Sequence, residues 1–158
     1  MITEQIREYL LSCAFNAAVR AGAEIMKVYN NSGDIDVMVK SDNTPLTIAD
    51  RLAHNKIKEV LGETRIPILS EEGREMLYNE RKNWEMFWLV DPLDGTIEFI
   101  KGNNEFTVNI ALMVAGKPEF GVVYVPNRQM LYFNDPALGA FRKCNVCAAG
   151  EASYGYDW

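Results

Sequence analysis

A short apolar strand that runs into two aspartates is the feature that most constrains the fold of this chain. Residues 87–90 are all apolar, which predicts a buried strand. A proline and a glycine then stop the strand, in the sequence Asp91-Pro92-Leu93-Asp94-Gly95-Thr96. Two anions held close together at a strand end repel each other unless a cation lies between them. Carboxylate oxygens at a fixed spacing suit Mg²⁺, so this segment predicts a metal-dependent phosphate enzyme.

Two further acidic segments favour a metal site. Glu71 and its neighbour Glu72 directly follow a short apolar strand predicted over residues 66–69. If this strand lies beside the strand at 87–90, the strand ends bring Glu71 next to the two aspartates, and a helix brings Asp50 to the rim. Such a carboxylate set suits two ions about 4 Å apart, which orient a phosphate and generate a nucleophilic water.

Each of these residues also has an ordinary structural explanation. Asp, Pro and Gly at residues 91–95 would form a plain β-turn. Glu71 and Glu72 would be a solvated surface pair. Asp50 would favour the dipole at a helix N-terminus, and Thr96 would cap the short helix that follows it.

The remaining polar candidates are less informative. His54 is the single histidine of the chain and is expected to be exposed on a helix, because no partner lies beside it in the sequence. Lys101 is expected to face solvent. Cys144 and Cys147 have the spacing of half a zinc site or a redox pair, but with only Cys13 besides them a four-ligand site is not supported. Free thiols in a reducing compartment are the better interpretation.

Composition excludes several classes of function. The chain has 158 residues, enough for one domain with a real core, and a formal net charge of −6. That charge argues against a partner made of nucleic acid, which needs a basic surface. An anionic small substrate remains compatible, because divalent ions reverse the local charge. No run of about 18 apolar residues appears, so no transmembrane segment is predicted.

The hydrophobic pattern predicts helices first and consecutive strands later. Helices are predicted over residues 3–29, with Thr3 as the cap, and over about 47–61. A polar loop is predicted at 41–45, a loop or short exposed helix at 74–85, a helical turn at 96–100 and a hairpin turn at 115–118. Strands are predicted over 36–40, 66–69, 87–90, 106–114, 120–125, 130–133 and 139–142. This order indicates an α+β fold, with two helices packed on a largely antiparallel sheet.

Three sequence elements, taken in order, resemble the inositol-monophosphatase-like superfamily of Mg²⁺-dependent, lithium-sensitive phosphatases. They are a T-x-x-D element at residues 47–50, a Glu-Glu element at 70–72 and the D-P-L-D-G-T element at 91–96. Three elements in the right order are far more specific than any one of them alone. The resemblance implies the N-terminal lobe of the layered α/β sugar-phosphatase fold.

The resemblance assigns a metal-binding role to one group of positions. Glu71, Asp91 and Asp94 correspond to the carboxylates that hold two or three Mg²⁺ ions. Leu93 corresponds to a ligand through its backbone carbonyl. Glu72 corresponds to a residue that supports these ligands from behind.

A second group of positions corresponds to the reaction itself. Asp50 and Thr96 match the pair that orients and deprotonates the attacking water. The substrate phosphate is expected at Gly95 and Thr96, where a helix begins, together with Glu71 and Asp94.

Within the superfamily, the chain is most similar to 3′(2′),5′-bisphosphate nucleotidases of the bacterial CysQ type. The positions that carry this similarity are residues 42–47, 98–101 and 105–112, whereas Ile97 stands where a lysine is expected. Such enzymes convert 3′-phosphoadenosine 5′-phosphate and water to AMP and phosphate. An inositol-phosphate or sugar-bisphosphate phosphatase is one alternative, and an inactive, truncated metal-binding lobe is another.

The resemblance covers residues 1–142, and residues 143–158 form an atypical tail. Family members are longer, and their C-terminal lobe, with a further metal aspartate and most of the nucleobase pocket, is not expected in this chain. Apolar surface that this lobe would cover is then left open, which favours self-association. The expected location is the cytoplasm, with the inner face of the membrane as an alternative.

Overall fold

The computed structural model describes residues 2–31, 37–39 and 45–148. Its helices are α1 (Glu4–Asn31), α2 (Ile48–Gly62), α3 (Tyr78–Arg81) and α4 (Thr96–Lys101). Its strands are β1 (Val37–Val39), β2 (Pro45–Thr47), β3 (Ile68–Ser70), β4 (Met86–Asp94), β5 (Thr107–Val114), β6 (Lys117–Val125), β7 (Met130–Asp135) and β8 (Gly139–Lys143). A single turn of 3₁₀-helix, Pro126–Arg128, joins β6 to β7.

The first helix is long because its apolar residues recur with helical spacing over seven turns. Thr3 caps α1, since its hydroxyl oxygen accepts a hydrogen bond from the backbone N–H of Ile6 at 3.4 Å. Gly22 allows α1 to approach the sheet closely, because a Cβ there would lie 2.5 Å from the ring of Tyr124. The predicted helix over residues 3–29 is confirmed, with its end two residues later.

One six-stranded sheet forms the centre of the structure, in the order β3-β4-β5-β6-β7-β8. The β3–β4 pair is parallel, and every other pair in this sheet is antiparallel. The turn between β5 and β6 consists of Ala115 and Gly116, both with positive φ, as in the two-residue turns that suit the twist of a hairpin. β1 and β2 form a separate antiparallel pair. The predicted α+β class with a largely antiparallel sheet is confirmed.

Helices α1 and α2 pack on each other and cover one face of the sheet. α1 contacts β5 and β6, whereas α2 contacts β3 and β4. Alternate residues of the central strands point into this layer and are buried: Trp88, Val90, Val108, Ile110, Leu112, Phe120, Val122, Tyr124 and Leu131. This two-layer core accounts for most of the apolar burial and fixes the positions of the strand ends.

The opposite face of the sheet is open to solvent among the described residues. Leu89, Val123 and Tyr132 lie on it with 43%, 38% and 39% of their surfaces exposed. A depression of about 530 Å³ runs across this face, from the apolar middle of the sheet to the ends of β3 and β4. Exposed apolar side chains that share one surface usually mark a place where another layer packs.

The structure departs from the predicted elements at several points. β4 continues to Asp94, with a register irregularity after Asp91, because a proline cannot donate to the ladder and the strand bulges there. Residue 45 was predicted to be in a loop, but it begins the short strand β2. Of the two alternatives predicted for residues 74–85, a loop or a short exposed helix, the structure has a short helix, α3, within the segment.

Some predictions fall outside the described residues. These are the loop at 41–44, the ends of the strand at 36 and 40, and the part of the tail beyond 148. Within the described part, no helix is both long enough and apolar enough to cross a membrane.

Candidate active site

The ends of β3 and β4 meet at one edge of the sheet. The two strands are parallel, with Ser70 opposite Val90 in the register. Directly beyond this pair, the backbone N–H of Glu71 donates to the carbonyl oxygen of Val90, at 3.1 Å between N and O. The prediction that the two strands lie side by side is therefore confirmed, and Glu71 lies beside Asp91.

A tight turn follows β4 and sets the spacing of the two aspartates. Asp91 Oδ1 accepts a hydrogen bond from the backbone N–H of Leu93 at 3.3 Å, which folds the chain into an Asx turn. Gly95 comes next with a φ of +90°, and a Cβ there would lie 2.6 Å from the carbonyl oxygen of Glu105. Glycine suits this position because any side chain would be both strained and in collision. α4 begins directly afterwards at Thr96.

At the start of α2, the two carboxylate oxygens of Asp50 have different partners. Asp50 Oδ2 accepts hydrogen bonds from the backbone N–H and the hydroxyl of Thr47, at 2.7 and 2.5 Å, which closes a capping box. Asp50 Oδ1 accepts a hydrogen bond from the hydroxyl of Thr96 at 3.1 Å. The carboxylate is almost fully buried. Helix capping therefore explains one oxygen of Asp50, and the other oxygen joins α2 to the start of α4.

The Thr96 hydroxyl has a second acceptor within reach. It lies 3.1 Å from Asp50 Oδ1 and 3.2 Å from the carbonyl oxygen of Leu93. A hydroxyl carries one proton and two lone pairs, so both contacts use the same proton. The lone pairs of the Thr96 oxygen remain able to accept a hydrogen bond from a water molecule.

Burial and the neighbouring carboxylates together affect the ionisation of Asp91. Burial, followed by the charges of Glu71 and Asp94, raises the pKa of Asp91 from its ordinary value of 3.8 to about 7. Glu72 contributes in the same direction, and the hydrogen bond from the Leu93 backbone opposes the rise. The three predicted metal carboxylates therefore interact electrostatically at one edge of the sheet.

Asp94 is held by a neighbouring strand. Its Oδ2 accepts a hydrogen bond from Asn109 Nδ2 at 2.9 Å. Asn109 Oδ1 in turn accepts from the Thr107 hydroxyl at 3.1 Å. Asn109 also lies opposite Asp91 in the β4–β5 register. Two polar side chains of β5 therefore support Asp94 beside the aspartate turn.

The chemistry of the donor atoms fits Mg²⁺. Three carboxylates and the carbonyl of Leu93 provide hard oxygens only. A cation between them would offset both the burial of Asp91 and the repulsion from its acidic neighbours, which together raise its pKa. The side chains do not form a finished coordination shell: in residues 2–31, 37–39 and 45–148, no three His, Cys, Asp or Glu side chains are arranged to hold an ion. The backbone brings the predicted ligands to one edge, and their roles as ligands stay predictions.

The other predicted site residues surround this edge. Glu72 is half-buried next to Glu71. Gly95 and Thr96 begin α4, where the first turn of a helix has backbone N–H groups without partners inside the helix. Lys101, at the other end of α4, is largely exposed, and its Nζ lies 3.6 Å from Oε1 of Glu98. It therefore faces solvent as expected.

The prediction for His54 was wrong. His54 is half-buried, and its Nδ1 lies 2.9 Å from Ser70 Oγ. The partner is 16 residues away on the next element, which a search for neighbours in the sequence cannot find. Asn109 was also missed as a supporting residue. Its signal was available, because Thr107 and Asn109 place polar groups at alternate positions of an apolar strand.

Known proteins match this chain along most of its length. The inositol monophosphatase family model matches residues 6–149. A 3′(2′),5′-bisphosphate nucleotidase CysQ of Shigella flexneri is 50% identical over 131 residues, which cover 82% of this chain and 53% of that protein. The corresponding protein of Haemophilus influenzae is 35% identical, and the match covers 87% of this chain and 51% of that one.

Solved structures show the same likeness. The crystal structure of CysQ from Bacteroides thetaiotaomicron matches with a TM-score of 0.77 and 46% identity, over 89% of this chain and 51% of that chain. The extragenic suppressor protein suhB of Bartonella henselae matches with a TM-score of 0.76 and 31% identity, over 85% and 52%. The chain thus spans about half the length of these relatives. On the match of the family model to residues 6–149, the chain belongs to the inositol monophosphatase family.

Proposed function

We propose that this chain carries the metal-binding and water-activating half of a phosphomonoesterase that hydrolyses 3′-phosphoadenosine 5′-phosphate to AMP and phosphate. The observation that carries the proposal is the hydrogen bond from Thr96 to the buried carboxylate of Asp50, beside the edge where Glu71, Asp91 and Asp94 lie. The likeness to CysQ proteins at up to 50% identity supports the choice of substrate.

In the proposed reaction, Thr96 and Asp50 handle the attacking water. The Thr96 oxygen accepts a hydrogen bond from the water, while its own proton is directed to Asp50. As the water oxygen bonds to phosphorus, the water loses a proton through Thr96 toward Asp50. The bond between phosphorus and the 3′-oxygen then breaks, and that oxygen takes a proton from solvent.

Glu71, Asp91, Asp94 and the Leu93 carbonyl would hold two or three Mg²⁺ ions. When bound, these ions supply Lewis-acid polarisation of the phosphate and a lower pKa for the attacking water. The residues of the chain set the geometry: the Asx turn at Asp91 and the hydrogen bond from Asn109 to Asp94 fix two of the carboxylates before any ion arrives.

The phosphate group is proposed to lie at the start of α4. The Gly95 backbone has no side chain to obstruct it, and the Thr96 hydroxyl lies at the first helical residue. Backbone N–H groups at a helix start favour an anion. Glu71 and Asp94 are proposed to meet the phosphate through the ions that they hold, and Glu72 is proposed to support Glu71.

Phosphate release tests this function. The 158-residue chain is assayed with 3′-phosphoadenosine 5′-phosphate, an inositol monophosphate and a sugar bisphosphate, each with Mg²⁺ and with EDTA. We expect Mg²⁺-dependent release that is fastest with the nucleotide and is lost in Thr96→Ala but kept in Thr96→Ser. Faster release from the inositol or sugar substrate would reject the proposed substrate and favour the first alternative.

A second candidate is a chain that binds Mg²⁺ without turnover. The sequence spans about half of each CysQ relative. Calorimetry with Mg²⁺ separates the two: heat of binding without phosphate release supports the inactive lobe, and binding with release supports the enzyme. We also propose that the N-terminal lobe ends at residue 142 and that the protein is located in the cytoplasm.

A further inference from the structure

One face of α2 contacts both segments that carry the predicted metal ligands. Asp50 and His54 are four residues apart, which places them one turn apart on the same side of the helix. Asp50 accepts a hydrogen bond from Thr96, directly after the aspartate turn. His54 Nδ1 lies 2.9 Å from the hydroxyl of Ser70, directly before Glu71. A single turn of helix therefore spans the distance between the two acidic segments.

The contact between His54 and Ser70 lies at the base of a short turn. The backbone N–H of Gly73 donates to the carbonyl oxygen of Ser70 at 3.0 Å, which closes the turn around Glu71 and Glu72. A Cβ built on Gly73 would lie 3.8 Å from Cε1 of His54, so the imidazole lies near the far side of the turn as well. Both ends of the turn are thus in reach of one ring.

The imidazole is suited to hold a hydroxyl rather than a charge. Burial, and secondarily the charge of Lys58, lowers the pKa of His54, which favours the neutral ring near pH 7. A neutral imidazole has one N–H donor and one acceptor, so it can pair with Ser70 without placing a cation beside the acidic segment.

We propose that His54 is a positioning residue that fixes Glu71 for metal binding through Ser70, an inference that rests on the proposed metal site. His54 touches neither substrate nor ion. Its effect is transmitted through the serine hydroxyl to the backbone of the turn, whose other side is held by the hydrogen bond from Glu71 to Val90. Groups that orient metal ligands from behind typically account for 10- to 100-fold in metal affinity.

The test is Mg²⁺ calorimetry on the whole chain and five variants. His54→Ala and Ser70→Ala each remove one partner, and the double variant removes both. His54→Asn keeps an amide group close to the position of Nδ1 and should restore the contact. Asn55→Ala, at the exposed position next along α2, is the matched control for a lost helix side chain.

We expect His54→Ala and Ser70→Ala each to weaken Mg²⁺ binding by about tenfold or more. The double variant should weaken it no further, because both changes break the same contact. His54→Asn and Asn55→Ala should bind nearly as well as the unchanged chain. Should His54→Ala fail to fold, Ser70→Ala and His54→Asn still decide the question.

Two negative results have different meanings. If the unchanged chain binds Mg²⁺ and both alanine variants bind it equally well, His54 has only a structural role and this inference is overturned. Lower unfolding free energies in EDTA would then be their sole effect. If the unchanged chain binds no Mg²⁺ at all, the proposed metal site itself is wrong, and the inference falls with it.

Discussion

Replacing Asp91 by asparagine should stabilise the chain when no metal is present. The raised pKa means that the folded chain holds a proton on Asp91 that the unfolded chain has already released. Below the ordinary value of 3.8 Asp91 is protonated in both states, so its raised pKa does not lower the free energy of unfolding. As the pH rises from there to about 7, the unfolded state binds fewer protons, so the free energy of unfolding decreases; above about 7 the loss is complete.

The size of this effect follows from the two pKa values. The difference between 3.8 and about 7 corresponds to about 4 kcal/mol at 1.36 kcal/mol per pH unit. Asp91 is partly exposed, and solvent screens its interaction with the neighbouring carboxylates. We therefore expect Asp91→Asn to raise the free energy of unfolding by about 1–2 kcal/mol. Asparagine cannot ionise, and its Oδ1 keeps the hydrogen bond from Leu93, so the variant should avoid the loss without disturbing the turn.

Urea unfolding in EDTA, followed by the fluorescence of the buried Trp88, measures the effect. At about pH 8 Asp91→Asn should unfold with a higher free energy than the unchanged chain, and the gain should shrink toward about pH 5. In saturating Mg²⁺ the order should reverse, because ligand binding stabilises only the chain that keeps the charged ligand. Glu85→Gln, at the exposed residue directly before β4, is the control. A gain that does not depend on pH, or no gain, would refute the electrostatic argument.

Four further outcomes are expected. Thr96→Ala should lower kcat by a factor on the order of 10²–10⁴ with unchanged Mg²⁺ affinity, measured by phosphate release and calorimetry; full kcat would leave Thr96 a structural residue. Gly95→Ala should lower the unfolding free energy by about 1–3 kcal/mol, and by more than Gly116→Ala, where the added Cβ meets open space. Millimolar Li⁺ at limiting Mg²⁺ should inhibit any turnover, and full activity would argue for another type of phosphatase. Light scattering should show that the 158-residue chain self-associates, and Val123→Lys, on the open face of the sheet, should reduce this self-association. A monodisperse monomer would contradict the role of that face.

Much of the fold was predictable because its signals are local. Apolar residues at helical spacing predicted α1, with an error of two residues at its C-terminal end. Ala115 and Gly116 predicted the hairpin turn between β5 and β6. β4 was predicted to end at Val90 but continues to Asp94. A bulge depends on how the partner strand pairs across the proline, and that pairing is not written in the local pattern.

The sequence predicted the acidic residues of the candidate site, but it did not predict the side-chain contacts that hold them in place. Glu71, Asp91 and Asp94 stand out because each follows an apolar strand. The contacts that hold the surroundings in place, from Asn109 to Asp94 and from His54 to Ser70, join residues that are 15 and 16 positions apart. Such contacts depend on the packing of α2 against β3 and on the pairing of β5 with β4, which a single sequence does not reveal.

The double use of Asp50 bears on how this family can evolve. Loss of Asp50 would remove its half of the capping box of α2 as well as release Thr96, so selection for a stable fold favours retention of the aspartate. Thr96 is under a weaker constraint of this kind, because Gly95 rather than Thr96 is the N-cap residue of α4. If a family member lost turnover, we would therefore expect Thr96 to be substituted before Asp50, because the fold still needs Asp50 for the capping box of α2.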